Sequence, residues 1–121
     1  MNTTTTTKTK TSTATNLISA TLDVEQAANA LKELGHPTRL SIFKLLVKAG
    51  RSGIPVGEIK EKLAIPHSTL SHHIAKLLSV NLMKQKREGR TLYCIPQYES
   101  LNDLIHFLQD ECCADDSCDP N

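Results

Sequence analysis

The sequence predicts a mainly α fold: a winged helix-turn-helix, with short helices followed by a two-stranded β-hairpin. Three observations predict it. Two short amphipathic segments, Val56 to Leu63 and Ile65 to Lys76, meet across a link of about Ala64, Ile65 and Pro66, the spacing of a helix-turn-helix. A basic strand–turn–strand pattern comes directly after them. Aromatic residues are scarce (Phe43, Tyr93, Tyr98 and Phe107, with no Trp), so the core must be Leu, Ile, Val and Ala, which suits packed helices better than a β-sandwich.

Met1 to about Ser19 is low in complexity, with nine Thr in the first fifteen residues and little to bury. It is expected to be a disordered tail (1–19) whose Lys8 and Lys10 at most brush phosphates. A first helix is expected from about Leu22 to Leu34, where Asp23 and Gln26 are spaced as a capping box. Val24, Ala27, Ala28, Leu31 and Leu34 form its apolar stripe. Gly35 stops it. Pro37 then occupies the first turn of a helix from Pro37 to Ala49 that buries Leu40, Phe43, Leu46 and Val47. Gly50 ends that helix, and Arg51 to Pro55 reads as a loop.

Val56, Ile59 and Leu63 point inward from the next helix. Leu70, Ile74 and Leu77 then recur at i, i+4 and i+7, one stripe of the segment that follows. Pro at its first helical position is acceptable. Leu82 to Arg87 and Thr91 to Ile95 read as strands around Glu88, Gly89 and Arg90, a wing whose tip carries Lys84, Lys86, Arg87 and Arg90. A last helix, about Tyr98 to Glu111, carries Leu101, Leu104, Ile105 and Leu108. The winged-helix domain therefore spans 20–111 and a cysteine-containing tail spans 112–121.

The formal net charge of +1 conceals an asymmetry. Twelve Lys/Arg against four acids lie between Lys32 and Arg90, whereas Cys94 to the end holds seven acids and no Lys or Arg. A basic middle beside an acidic end suggests a polyanion for the middle alone. Opposite the apolar stripe of the second helix of the pair stand His67, Ser68, Thr69, Ser71 and His72, short hydrogen-bonding side chains suited to base edges. Lys76, Lys86, Arg87 and Arg90 would hold the phosphates. His73 is one position off that face and reads as a partly buried, hydrogen-bonded histidine. Without an aromatic on this face, single-strand stacking is not expected. Double-stranded operator DNA is the expected partner.

Neither a secretory signal nor an apolar run near the roughly 20 residues of a membrane span is present, so a cytoplasmic protein is expected. Its four cysteines then read as thiols for metal or redox chemistry, not as a disulfide framework. No Gly-rich phosphate loop or acid/base carboxylate motif occurs, which argues against an enzyme.

Three segments in this order, G-H-P-T-R-L-S-I-F-K-L-L (Gly35 to Leu46), L-S-H-H-I-A-K-L (Leu70 to Leu77) and R-E-G-R-T-L-Y (Arg87 to Tyr93), resemble the ArsR/SmtB family of bacterial metal-responsive repressors. The likeness covers roughly residues 22 to 113. It implies a homodimer built on the first and last helices, with the recognition helices entering successive major grooves. Two of the family's sensor sites are missing. Ile54 to Glu58 contain no Cys, and the last helix offers only Asp103 and His106, so His106 reads as a surface or interface residue.

Cys112, Cys113 and Cys118 remain. Three soft thiolates without a fourth N or S ligand suit an ion that accepts three-fold coordination, as As(III) and Sb(III) do, whereas structural Zn²⁺ usually takes four ligands. The tail resembles that of family members that sense As(III) at the C-terminus. No cofactor is required on this reading; As(III) or Sb(III) is the inducer and releases the operator. The rivals on the same fold are a redox- or sulfide-responsive repressor and a Cd/Zn-responsive one; a protein-binding adaptor is a further alternative. Cys94 alternates within the second wing strand and reads as a small buried residue.

Overall fold

The computed structural model describes residues 22–115. The Thr-rich segment expected to be disordered lies outside the described residues, as does Cys118. Helix α1 (Val24–Leu34) starts at Asp23, whose carboxylate accepts the Gln26 N–H at 2.8 Å while the Gln26 side chain accepts the Asp23 N–H at 3.0 Å. This reciprocal pair is the expected capping box and sets the start two residues after Leu22. Helix α2 (Pro37–Ala49) is capped by His36, whose Nδ1 accepts the Thr38 N–H at 3.1 Å; Pro37 sits in the first turn.

The expected loop from Arg51 to Pro55 contains a strand. A 3₁₀ turn at Gly50–Ser52 leads to Gly53, which adopts φ +85°. A Cβ on Gly53 would lie 2.9 Å from Ile95 Cγ1 and 3.0 Å from the Cys94 carbonyl oxygen, so only glycine lets the chain approach this closely. Strand β1 (Ile54–Pro55) then pairs antiparallel with the later wing strand, Ile54 opposite Cys94 and Pro55 opposite Tyr93. Two residues are too few for an alternating pattern to show in the sequence. The missing N–H of Pro55 is tolerated because β1 is an edge strand.

Helix α3 (Val56–Leu63) ends at Ala64, which is left-handed (φ 53°, ψ 49°) and turns the chain into α4 (His67–Ser79). Pro66 is the residue before α4 and not its first helical position. It keeps an extended backbone and accepts the Leu70 N–H at 3.0 Å, the first bond of the helix. Strands β2 (Met83–Glu88) and β3 (Thr91–Pro96) form the wing around Gly89 and Arg90, with Gly89 at φ +65° as a two-residue hairpin turn requires. The sheet order is β1-β3-β2. Helix α5 (Tyr98–Gln109) stops two residues short of Glu111.

The core gathers Ile42, Phe43 and Leu46 of α2, Ile59 of α3, Leu70, Ile74 and Leu77 of α4, Met83 and Cys94 of the wing, and Leu104 of α5. Each fully buried Leu or Ile among them contributes about 1.5–3 kcal/mol. Cys94 is fully buried, as its alternation suggested.

Two expected stripes are corrected. Helix α1 packs through Ala27, Ala30 and Glu33, where small side chains allow a close approach, and leaves Val24, Ala28 and Leu31 exposed. In α2, Ile42 replaces Leu40 in the core, and Leu40 is exposed. No helix among the described residues is long and apolar enough to cross a membrane.

Candidate nucleic-acid interface

Helix α4 is two-sided. Leu70, Ile74 and Leu77 anchor it to the core, which leaves His67, Ser68, Thr69, Ser71 and His72 exposed along one face and Lys76 half-buried further on. Ser71 Oγ lies 3.4 Å from His67 Nε2, one helical turn away, so the two polar tips sit side by side. No side chain caps α4, so the first-turn N–H groups remain at the positive end of the helix, beside this polar face.

Between α4 and the wing runs a groove of about 670 Å³, lined on one wall by His67 and Ser71 and on the other by Gln85, Arg87 and Arg90. Strand alternation decides which wing residues face it. Arg87 lines the groove, Lys84, Lys86 and Glu88 line a depression on the opposite face, and Gln85 borders both. Lys84 is opposite Ile95, near the base of the hairpin and away from the expected tip. Lys86 Nζ is 3.1 Å from Glu88 Oε2, an exposed pair of small energetic value. Of the expected phosphate contacts, then, Arg87 and Arg90 share a groove with the α4 face and Lys86 does not. Gln85 lines the same groove without having stood out in the sequence, because a lone Gln in a basic strand carries no distinguishing signal.

Behind α4 lies a polar network. Arg39 Nε donates to the Glu33 carbonyl at 2.6 Å, and its Nη2 is 3.3 Å from Glu33 Oε1. Arg39 Nη1 lies 3.0 Å from His73 Nδ1. His73 is buried and hydrogen-bonded, as its position off the polar face suggested. Burial first, and then the neighbouring His36, Arg39 and His72, hold it below the usual imidazole range.

The apolar surface left uncovered is concentrated on α1 and α5: Val24 is 72% exposed, Leu108 59%, Ile105 43% and Leu31 41%. Past α5, Glu111 and Cys113 both take left-handed backbone (φ 61° and 60°) in a run of turns. Cys112 is an exposed free thiol whose Sγ lies 3.7 Å from that of Cys113. His106 is exposed. Among the described residues no three His, Cys, Asp or Glu side chains are grouped to hold a metal.

The arrangement fits what the chain resembles. Residues 34–86 match the helix-turn-helix domain family HTH_20. The chain is 35% identical over 83 residues to the nodulation protein NolR of Rhizobium meliloti, covering 69% of this chain and 62% of that protein, so it spans less than two thirds of this relative's length. It is 31% identical over 91 residues to the transcriptional repressor PagR of Bacillus anthracis, covering 73% of this chain and 89% of that one. In three dimensions it superposes on an ArsR family transcriptional regulator, RHA00566, with TM-score 0.67 at 18% identity, over 81% of this chain and 98% of the other. An exposed polar face on α4, a basic wing and relatives that are transcriptional regulators along most of this domain lead to one family, and the chain belongs to the ArsR family of winged helix-turn-helix transcriptional regulators, which are not enzymes.

Proposed function

We propose that the chain is a homodimeric repressor that binds double-stranded operator DNA and is released when As(III) or Sb(III) binds its C-terminal cysteines. The observation that carries the DNA half is the groove in which His67 and Ser71 face Arg87 and Arg90. Ser68, Thr69 and His72 extend the base-reading face, and Arg87, Arg90 and Lys76 neutralise phosphates, with Lys86 a weaker contributor from the far side of the wing. The exposed apolar residues of α1 and α5 supply the dimer interface, which a two-fold protein needs to set its recognition helices about 34 Å apart.

The sensing half rests on the thiols. The Cys112 and Cys113 sulfurs lie 3.7 Å apart, close enough for one ion to reach both once the tail is reduced, and Cys118 would be the third ligand. Binding requires the reduced tail. Once formed, the three bonds tie the tail to the end of α5 and bias the dimer toward a spacing that no longer fits the operator. A coupling of roughly 1–3 kcal/mol lowers affinity several-fold to a hundred-fold.

The exposed Cys112 thiol, with its Sγ 3.7 Å from that of Cys113, favours a second reading, in which thiol oxidation itself is the signal. One experiment separates the two: fluorescence anisotropy of the full chain on DNA from its own promoter, with arsenite or with a mild oxidant. On the first reading arsenite releases reduced wild type and not the Cys112→Ser/Cys113→Ser variant. Release by oxidant alone selects the second. Absence of salt-sensitive binding to any duplex overturns both.

A further inference from the structure

Residue 39 and residue 73, separated by 34 positions, join the start of α2 to the back of the recognition helix. The guanidinium of Arg39 spans the gap. Nε and Nη2 are engaged by Glu33, the last buried residue of α1, and Nη1 reaches His73 on α4. Arg and Glu side chains here are 12% and 11% exposed, so these bonds are largely shielded from water. Arginine has donors only; at a 3.0 Å contact the histidine nitrogen must therefore be the acceptor. That fixes His73 as the neutral imidazole with its proton on Nε2.

We propose that Arg39 and His73 are positioning residues for DNA binding: the chain Glu33–Arg39–His73 braces the recognition helix against α1, and the brace holds only while His73 is unprotonated. The proposal rests on the DNA-binding reading above. A protonated Nδ1 is a donor and would point its N–H at the Arg39 N–H group, so the contact turns from attraction to repulsion. Little around the ring would offset this. His36, from the α1–α2 link, lies 4.6 Å away ring to ring; His72, on α4 itself, lies 5.8 Å away. Arg39 approaches from α2, and Glu33 of α1, the carboxylate of the cluster, is bound to Arg39. The depressed pKa of His73 agrees with this geometry. His73 follows Ser71 and His72 within one helical turn, so any tilt released at the brace is delivered to the base-reading side chains.

The test has two arms, both on the full chain. In the first, backbone amides are followed by NMR without DNA from about pH 7.5 to about pH 5. Amides near residues 34–40 and 70–77 should share one transition with a midpoint below the ordinary histidine value of 6.5. His73→Asn, which offers an uncharged oxygen in place of Nδ1, should abolish that transition, while His36→Asn and His72→Asn should keep it. A shared transition that survives in His73→Asn, or is absent from wild type, overturns the brace.

In the second arm, operator affinity is measured across the same range. His73→Asn should bind like wild type at the high end, unlike His73→Ala. Wild type should then lose roughly tenfold relative to His73→Asn at the low end, the effect of about one pK unit of linkage. Wild type that binds with the same pH profile as His73→Asn overturns the brace alone. Wild type that binds no duplex at any pH overturns the DNA-binding reading and the positioning role with it.

Discussion

Lys86 and Arg87 are neighbours in the chain and lie on opposite faces of the wing: Arg87 shares the groove with His67 and Ser71, and Lys86 pairs with Glu88 on the other side. Charge counting treats the two as equal, but the pleat does not. Arg87→Ala should weaken operator binding evenly across sequences and lower the salt slope by about one unit, as loss of a phosphate contact does. Lys86→Ala should leave the slope nearly unchanged, because Lys86 lies on the face away from the groove and is already paired with Glu88. Anisotropy titrations at several salt concentrations check both, and equal losses would show that the wing inserts with both faces in contact.

The second expectation concerns the uncovered apolar residues. Val24 and Leu31 on α1, with Ile105 and Leu108 on α5, are large side chains that a monomer leaves in water. Covering them is worth on the order of 25 cal/mol per Å² of apolar surface. A carboxylate placed among them would be buried without a partner, at a cost of several kcal/mol. Leu31→Glu and Leu108→Glu should therefore yield folded monomers with native helix content and little operator affinity. Sedimentation velocity with circular dichroism distinguishes this from unfolding. A variant that stays dimeric would move the interface elsewhere.

Gly53 gives a third. Its φ of +85° and the 2.9 Å and 3.0 Å approaches to Ile95 and Cys94 mean that Gly53→Ala must shift β1 away from β3. Strain at a positive φ together with the lost pairing should cost about 2–3 kcal/mol in chemical denaturation. Gly50, also at positive φ but with open space around its Cβ position, should cost less on the same substitution. Equal losses at the two positions would assign the cost to φ alone.

The elements most legible in the sequence were those whose signals are local. The Asp23–Gln26 box, Pro37 after Gly35, the three-residue link at Ala64 to Pro66 and the Gly89 turn each specify a boundary within a few residues, and the structure has them there. The polar face of α4 was legible for the same reason, since helical periodicity alone puts His67, Ser68, Ser71 and His72 opposite Leu70, Ile74 and Leu77. Contacts between distant segments were not. The Arg39–His73 bond, the pairing of Ile54 with Cys94 and the choice between Lys86 and Arg87 all depend on how segments meet. The α1 stripe was misassigned because Val24 and Leu31 look like core by hydrophobicity, while the helix docks through Ala27 and Ala30.

The free cysteines should differ in reactivity. Cys94 is fully buried, and burial raises its thiol above the ordinary value of 9.0, with the Gln85 side chain opposing this only in part. Cys112 is exposed. Iodoacetamide should modify Cys112 in the native protein and reach Cys94 only on unfolding, because the thiolate is the nucleophile. The same shift has a sign in stability. Above the unfolded value the unfolded chain releases the Cys94 proton while the folded chain keeps it. The unfolded state then binds fewer protons, and stability falls as pH rises. Its contribution is intact below about pH 9 and is lost progressively above that, up to the raised folded value. Cys94→Ala should flatten the alkaline limb of the denaturation midpoint measured against pH, at the cost of a small cavity. An unchanged limb would mean that other groups set the alkaline stability.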